Sequence, residues 1–215
     1  MNGITVIPKT DVNGRHAGKA ISVGNTKIDD EYITYLKFGD HATNMPSTVR
    51  HKDNIIKYKY DNMGNISEIR ENGILTARYT YDSIGRLVRE DNKHSFTTTL
   101  YTYDNNGNIL FKKNHAFTLN DADYLEEMEY TVDKYKYDGD KLLSYNSELF
   151  EYDAIGNPIK YRGKKATWSQ GRRLVSYVTN DENDENDENY KNTFSYDARG
   201  RRIGDLCRAD ALDEC

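Results

Sequence analysis

A nine-residue pattern returns along this chain: an aromatic, any residue, Tyr, Asp, two free positions, Gly, Asn or Arg, then usually Ile or Leu. It reads YKYDNMGNI from Tyr58, YTYDSIGRL from Tyr79, YTYDNNGNI from Tyr101, FEYDAIGNP from Phe150 and FSYDARGRRI from Phe194, with a shortened YKYDGDKLL from Tyr135. The Tyr-Asp pairs start at 60, 81, 103, 137, 152 and 196. Internal repetition of this kind restricts the architecture more than any local propensity, because each copy must be the same structural unit.

One copy reads as a β-hairpin. Aromatics at i and i+2, as in Tyr58 and Tyr60, Tyr79 and Tyr81, Tyr101 and Tyr103, or Tyr135 and Tyr137, fall on one face of a strand. The next residue (Asp61, Asp82, Asp104, Asp138, Asp153 or Asp197) opens a turn in which its carboxylate accepts a backbone N–H two residues on. Gly64, Gly85, Gly107, Gly156 and Gly200 then stand where a type I turn followed by a left-handed residue needs positive φ. Ile66, Leu87 and Ile109 resume a strand in the opposite direction. Tyr152 and Tyr196 hold the Tyr place in the later copies, and Gly139-Asp140 is a two-residue turn with Gly first. A divergent unit, WSQGRRL, pairs Gly171 with Trp168 where Asp would stand.

The fold class is therefore all-β: successive antiparallel hairpins forming a curled sheet or partial shell, since the twist of many strands accumulates. Residues 1–50 lack the motif, yet GITVIP, AISVG and YITYLKF carry strand-like pieces and extend the same sheet backwards. Residues 51–203 hold the repeats, and 204–215, with no alternation and no Tyr, form a non-repeat tail. Asn180 to Asn189, NDENDENDEN, interrupts the repeat spacing and reads as an acidic, solvated loop. The best helical stretch, Asp121 to Met128, is long enough for one or two turns.

Composition supports a fold built on phenols. There are 18 Tyr against 6 Phe, with a net charge of only −5, so each buried ring brings a hydroxyl that needs a partner. No apolar run reaches the ~20 residues of a membrane helix. The opening MNGITVIPKT has no signal-peptide pattern. An acidic pI of about 5.6 argues against nucleic acid as a partner.

With the tandem motif read, the chain resembles the Rhs or YD-repeat family from about Tyr58 to Ile203. Members include bacterial polymorphic toxins, toxin-enclosing subunits, wall-associated proteins and teneurins. The resemblance implies a β-strip that encloses cargo or is displayed at a surface, in a secreted or cell-surface protein. It also suggests carbohydrate binding. The Asp-Pro-any-Gly motif that closes toxin-bearing shells is absent after Ile203, so the reading is of a truncated or fragmentary member.

Catalytic and metal chemistry are not indicated. His16, His41, His51, His94 and His115 are scattered and read as surface or turn residues. HExxH, GxSxG and phosphate-loop patterns are missing. Cys207 and Cys215 lack ligand partners nearby. The repeated aspartates cap turns; two of them across a sugar would suggest glycoside hydrolysis only if the turns did not already explain them. The acidic run lacks the glycine of a calcium loop. Basic clusters at Arg162-Lys164-Lys165, Arg172-Arg173 and Arg199-Arg201-Arg202 adjoin turns, where Arg stacks over Tyr faces. No enzyme activity and no cofactor are expected. The expected partner is the remainder of a larger chain or a second copy, the alternative being a carbohydrate or cell-surface-binding module that uses exposed tyrosines.

Overall fold

The computed structural model describes residues 3–179 and 190–209; the acidic run 180–189 and Cys215 lie outside the described residues. Strand accounts for 66% of the structure and helix for 2%, in antiparallel hairpin sheets that do not close on themselves. The strands form a 13-stranded and a 6-stranded sheet, and within each sheet every strand lies beside the one before it in sequence.

The chain divides into two units, Met1–Thr102 with Lys112–Val132 and Tyr103–Phe111 with Asp133–Cys215. The strands that make up or contribute to the first are β1 (Ile4–Thr10), β2 (His16–Val23), β3 (Thr26–Phe38), β4 (His41–His51), β5 (Asn54–Tyr60), β6 (Ile66–Glu71), β7 (Ile74–Tyr81), β8 (Leu87–Asn92), β9 (Thr97–Tyr103) and β10 (Ile109–Ala116). Helix α1 (Ala122–Glu126) follows, a single short helix inside the stretch the sequence favours. The later strands are β11 (Tyr130–Asp138), β12 (Lys141–Tyr145), β13 (Glu148–Leu149), β14 (Glu151–Tyr152), β15 (Pro158–Tyr161), β16 (Lys164–Ser169), β17 (Arg173–Thr179), β18 (Tyr190–Tyr196) and β19 (Arg202–Ala209).

One feature departs from ordinary strand chemistry and one from the sequence expectation. Strand β4 contains Pro46, a residue that ordinarily argues against an internal strand. It is accommodated because the β3–β4 register shifts on either side of the Tyr35 and Pro46 pair. Beyond Ile203 the backbone continues in strand to Ala209, pairing Asn192 with Cys207 and Tyr190 with Ala209, so the segment read as a tail carries strand over its first residues.

Apolar burial is thin, as a one-layer strip requires. Among the described residues the buried hydrophobics are Ala77, Leu125 and Phe150, and the buried polar residues outnumber them. In the first unit these polar residues gather where the segment carrying α1 covers β7–β9. Asp91, fully buried, is gripped by Arg78 Nε at 2.7 Å and Arg89 Nε at 2.8 Å and accepts from the Thr98 hydroxyl at 3.0 Å. The same guanidinium groups donate to the carbonyls of Leu119 at 2.8 Å and Asn120 at 2.7 Å. A buried carboxylate is tolerated only with such complete pairing.

Candidate functional site

The repeated aspartate builds a closed clip. Asp82 Oδ1 accepts the N–H groups of Ile84 at 3.1 Å and Arg86 at 2.8 Å, while Oδ2 accepts Arg86 Nε at 2.7 Å. The Asp82 N–H donates to the Arg86 carbonyl at 2.9 Å, and the Gly85 N–H to the Asp82 carbonyl at 3.0 Å. Asp61, Asp104, Asp153 and Asp197 repeat this with Asn65, Asn108, Asn157 and Arg201, whose side-chain nitrogens lie 3.0, 2.9, 2.7 and 2.8 Å from Oδ2. Asn and Arg, the residues found after the Gly, both return a side-chain donor to the carboxylate from there. Gly64, Gly85, Gly107, Gly156 and Gly200 have φ between 80 and 92°, the left-handed region the turn requires.

These bonds hold the carboxylates ionised. For Asp82 the first cause is the hydrogen bond from the Arg86 side chain, working against desolvation and followed by the Arg86 and Ile84 N–H groups. Asp61 and Asp104 are lowered chiefly by the Asn65 and Asn108 side chains, and Asp197 chiefly by the Arg201 N–H.

A further clip stands outside the motif. Asp11 accepts from the N–H groups of Asn13 at 2.9 Å and Arg15 at 3.0 Å, with Arg15 Nε at 2.7 Å, and Gly14 has φ of 74°. The aromatic-any-Tyr prefix is missing here, with Thr10 in the tyrosine place. The signal that finds it is shorter: Asp, two residues, Gly, then Asn or Arg.

The tyrosine before Asp61, Asp82, Asp153 and Asp197 performs a second, longer-range task. The Tyr60 hydroxyl donates to the Pro46 carbonyl at 2.7 Å, Tyr81 to Ile66 at 2.9 Å, Tyr152 to Leu142 at 2.7 Å and Tyr196 to Leu174 at 2.9 Å. Each acceptor is the cross-strand partner of the equivalent aromatic one hairpin earlier: Pro46 pairs with Tyr35, Ile66 with Tyr60, Leu142 with Tyr137 and Leu174 with Trp168. Within each unit these rings form a spine that ties their hairpins to the ones before. Burial raises the phenol pKa of Tyr60, Tyr81 and Tyr152, so these hydroxyls stay donors, and it raises that of Tyr137 as well.

Trp168 belongs to this spine, which corrects its expected place. Its indole N–H donates to the Pro158 carbonyl at 2.7 Å, and it pairs with Leu174 as Tyr81 pairs with Leu87. Trp168 thus occupies the tyrosine position and Ser169 the aspartate position. Counting back from Gly171 misplaced it by one because the glycine of this turn stands one residue earlier within the same span, with Gln170 as well as Gly171 at positive φ. Tyr35 is the other member the sequence did not mark; its hydroxyl reaches the His16 carbonyl at 2.6 Å.

The strand register shifts by one residue immediately before Tyr60, Tyr81, Tyr137, Tyr152, Trp168 and Tyr196. Such a bulge re-aims the following side chain, here toward the preceding hairpin. The shortened copy agrees with its reading, since Asp138 pairs with Lys141 around Gly139 at φ 57°.

The basic clusters lie over rings. Lys164 sits 4.9 Å from the Tyr177 centroid, Arg173 5.9 Å from Tyr196 and Arg202 4.5 Å from Phe194. Among the histidines, His94 lies 2.8 Å from Glu71 and His51 2.6 Å from Asp29. His115 departs from the surface expectation: it is buried against Tyr130, and desolvation lowers its pKa. Among the described residues no three His, Cys, Asp or Glu side chains are grouped to hold a metal ion. No helix among them is long and apolar enough to cross a membrane.

Over 151 residues the chain is 28% identical to double-stranded DNA deaminase toxin A of Burkholderia cenocepacia (strain H111), covering 68% of this chain and 9% of that protein. Its fold is similar to that in the Tc holotoxin pore of Photorhabdus luminescens, with a TM-score of 0.60 at 15% identity over 98% of this chain and 12% of that one. It is equally similar to TcdB2-TccC3 without its hypervariable C-terminal region, with a TM-score of 0.60 at 16% identity over 98% and 13%. At these identities the structures share a fold. The teneurin YD-shell family matches residues 13–170, most of the chain, including the clips at Asp61, Asp82, Asp104 and Asp153 and the spine from Tyr35 to Trp168, and the chain belongs to that family.

Proposed function

We propose that this chain is a wall segment of a YD-repeat shell in a secreted or cell-surface, toxin-associated protein, with no catalytic role of its own. The observation that carries this reading is the spine. Its side-chain chemistry is spent on joining hairpin to hairpin, which makes a wall that can be lengthened by repetition. Repeat structures of this kind draw stability from neighbours, so their ends need cover. Strand β1 is the outermost of its sheet, and Ile4, Val6 and Ile7 on it are 74, 56 and 56% exposed. Exposed strand edges recruit further strands. The partner is accordingly more of the same strip, supplied by a longer chain or by a second copy.

The relatives named above are toxins or toxin complexes, and this chain spans about a tenth of their length. Their activities are attributed to them alone. Size-exclusion chromatography with light scattering, run beside a glycan array on the purified 215-residue chain, tests the proposal. Self-association without a glycan ligand is expected. A stable monomer with a defined glycan ligand would establish the rival reading, a free-standing carbohydrate-binding module.

A further inference from the structure

In the second unit, Tyr135, Leu142, Tyr145, Phe150, Tyr161 and Arg162 line a cup of about 140 Å³. Phe150 and Tyr161 stack with centroids 4.7 Å apart, and Tyr135 and Tyr145 meet at 5.1 Å with planes tilted by 49°. Tyr145 is held in place by its hydroxyl, which donates to Asp133 at 2.8 Å, and the same carboxylate accepts the Asn146 amide at 3.0 Å. The volume matches the ~150 Å³ known to admit a single benzene ring.

Arg162 is the unusual member. It begins the two-residue turn between β15 and β16, at φ 50° with Gly163 at 70°. At that place in such a turn Asn or Gly is the inexpensive choice. Among comparable positions Asn72 Oδ1 accepts the Ile55 N–H at 2.8 Å and Asn146 Oδ1 the Lys134 N–H at 2.7 Å, while Lys52, at φ 53° in the turn between β4 and β5, is a second cation held in the left-handed region. Arg162 cannot supply that acceptor. Its guanidinium instead lies over Tyr145, 5.6 Å from the ring centroid, and makes no ion pair among the described residues. The guanidinium is thus the one cation of the cup's lining, set over a ring face and facing no carboxylate.

We propose that this cup binds a six-membered aromatic ring bearing a carboxylate, the ring against the four aromatic side chains and the carboxylate on Arg162. The lining offers aromatic faces, an aliphatic floor and one cation, but no amide to satisfy a polyhydroxylated ring. It therefore selects an aromatic acid over an acidic sugar. The ring can belong to a free aromatic acid or to an aromatic side chain flanked by an acidic residue in a peptide.

Saturation-transfer NMR on the full chain, with benzoate, benzamide, glucuronate and N-acetyl-Phe-Asp-amide as probes, tests the site. Saturable benzoate binding is expected, with benzamide roughly fivefold weaker, the upper value for an exposed ion pair, and no saturable glucuronate signal. Arg162→Asn places a favoured residue at the left-handed position, so the variant melts no lower than the parent yet loses benzoate affinity roughly fivefold while benzamide is unchanged. Arg162→Lys keeps most of the affinity, and Tyr161→Ala abolishes binding of both rings. If the peptide amide outcompetes benzoate the ligand ring is peptide-borne, and if benzoate wins it is free; both sustain the site. Absence of saturable benzoate binding, glucuronate binding as tight as benzoate, or an Arg162→Asn variant with undiminished benzoate affinity would overturn it.

Discussion

Asp82 and Asn72 both stand at turns of the same run of hairpins, and their side chains point the bonding in different directions. Every bond of the Asp82 carboxylate stays within its own turn, from Ile84 to Arg86. Asn72 reaches out of its turn to Ile55 on β5, donating its N–H to the Ile55 carbonyl and accepting the Ile55 N–H at 2.8 Å. Asn146 does the same with Lys134. One kind of turn is closed by charge and needs nothing beyond five residues; the other is neutral and exists only beside its neighbour. The tyrosine spine adds a second link of the neighbour-dependent kind. The Asp turn therefore defines each unit, and the Asn turns and phenols assemble the units.

Breaking an assembling link has the largest expected effect. Tyr81→Ala removes a ring that is mostly buried and the bond to Ile66, and costs about 3 kcal/mol, in the range of large aromatic truncations. Tyr81→Phe keeps the ring and loses about 1 kcal/mol, the net value of one hydrogen bond. Urea melts of the two variants separate ring from hydroxyl; equal losses would show that the hydroxyl contributes everything.

Glycine removal acts on both kinds of turn alike. Gly85 has φ of 84° and Gly73 of 85°, so Val at either forces a β-branched residue into the left-handed region, at about 2 kcal/mol each. Neither site is crowded by backbone, so the strain is conformational. A loss at Gly85 with none at Gly73 would mean that the Asn turn can change type.

The same division explains what the sequence disclosed. The Asp clip was legible because donor, acceptor and glycine fall within five consecutive residues, and Tyr-Asp-any-any-Gly records all of them. The spine was legible only as aromatics on one face. The acceptor of Tyr81 lies 15 residues back and that of Tyr196 22 residues back, and both are carbonyls, which any residue supplies. Thr10 hid the Asp11 clip for a related reason: the turn does not require the aromatic prefix, which serves the spine. Asp91 left no mark at all. Its partners Arg78 and Arg89 are ordinary strand residues, and the segment that buries them arrives from 117 to 120, where nothing in the sequence repeats.

Acid separates the two turn types without mutation. The clip carboxylates have folded pKa values below 3.8, so their stabilisation is complete above the unfolded value and is lost as pH falls through the folded one. His115 has a folded pKa below 6.5, so protonation of the unfolded chain already favours unfolding as pH drops below that value. Melting temperature should thus decline gently below pH 6.5 and more steeply below 3.8. His115→Phe removes the first decline only. Hydrogen exchange through the lower range should show the Gly64, Gly85 and Gly156 amides opening before the Asn72 amide, and the reverse order would contradict the assignment of charge to the Asp turn alone.

The smallest effect tests whether the clip has one requirement or two. Arg86 and Asn65 occupy the same place, and each gives Oδ2 a donor, Nε at 2.7 Å from Arg86 and Nδ2 at 3.0 Å from Asn65. The backbone N–H of either residue reaches Oδ1 at 2.8 Å, so the main chain cannot tell them apart. What differs is charge, and an ion pair still partly open to solvent adds little. Arg86→Asn should therefore stay within about 0.5 kcal/mol of the parent. Arg86→Leu keeps the backbone bonds but leaves Oδ2 without its donor, and should melt measurably lower and lose more of its stability in acid. Equal melting temperatures for Asn and Leu at position 86 would show that the backbone alone closes the clip, and that Asn and Arg recur after the glycine for some other reason.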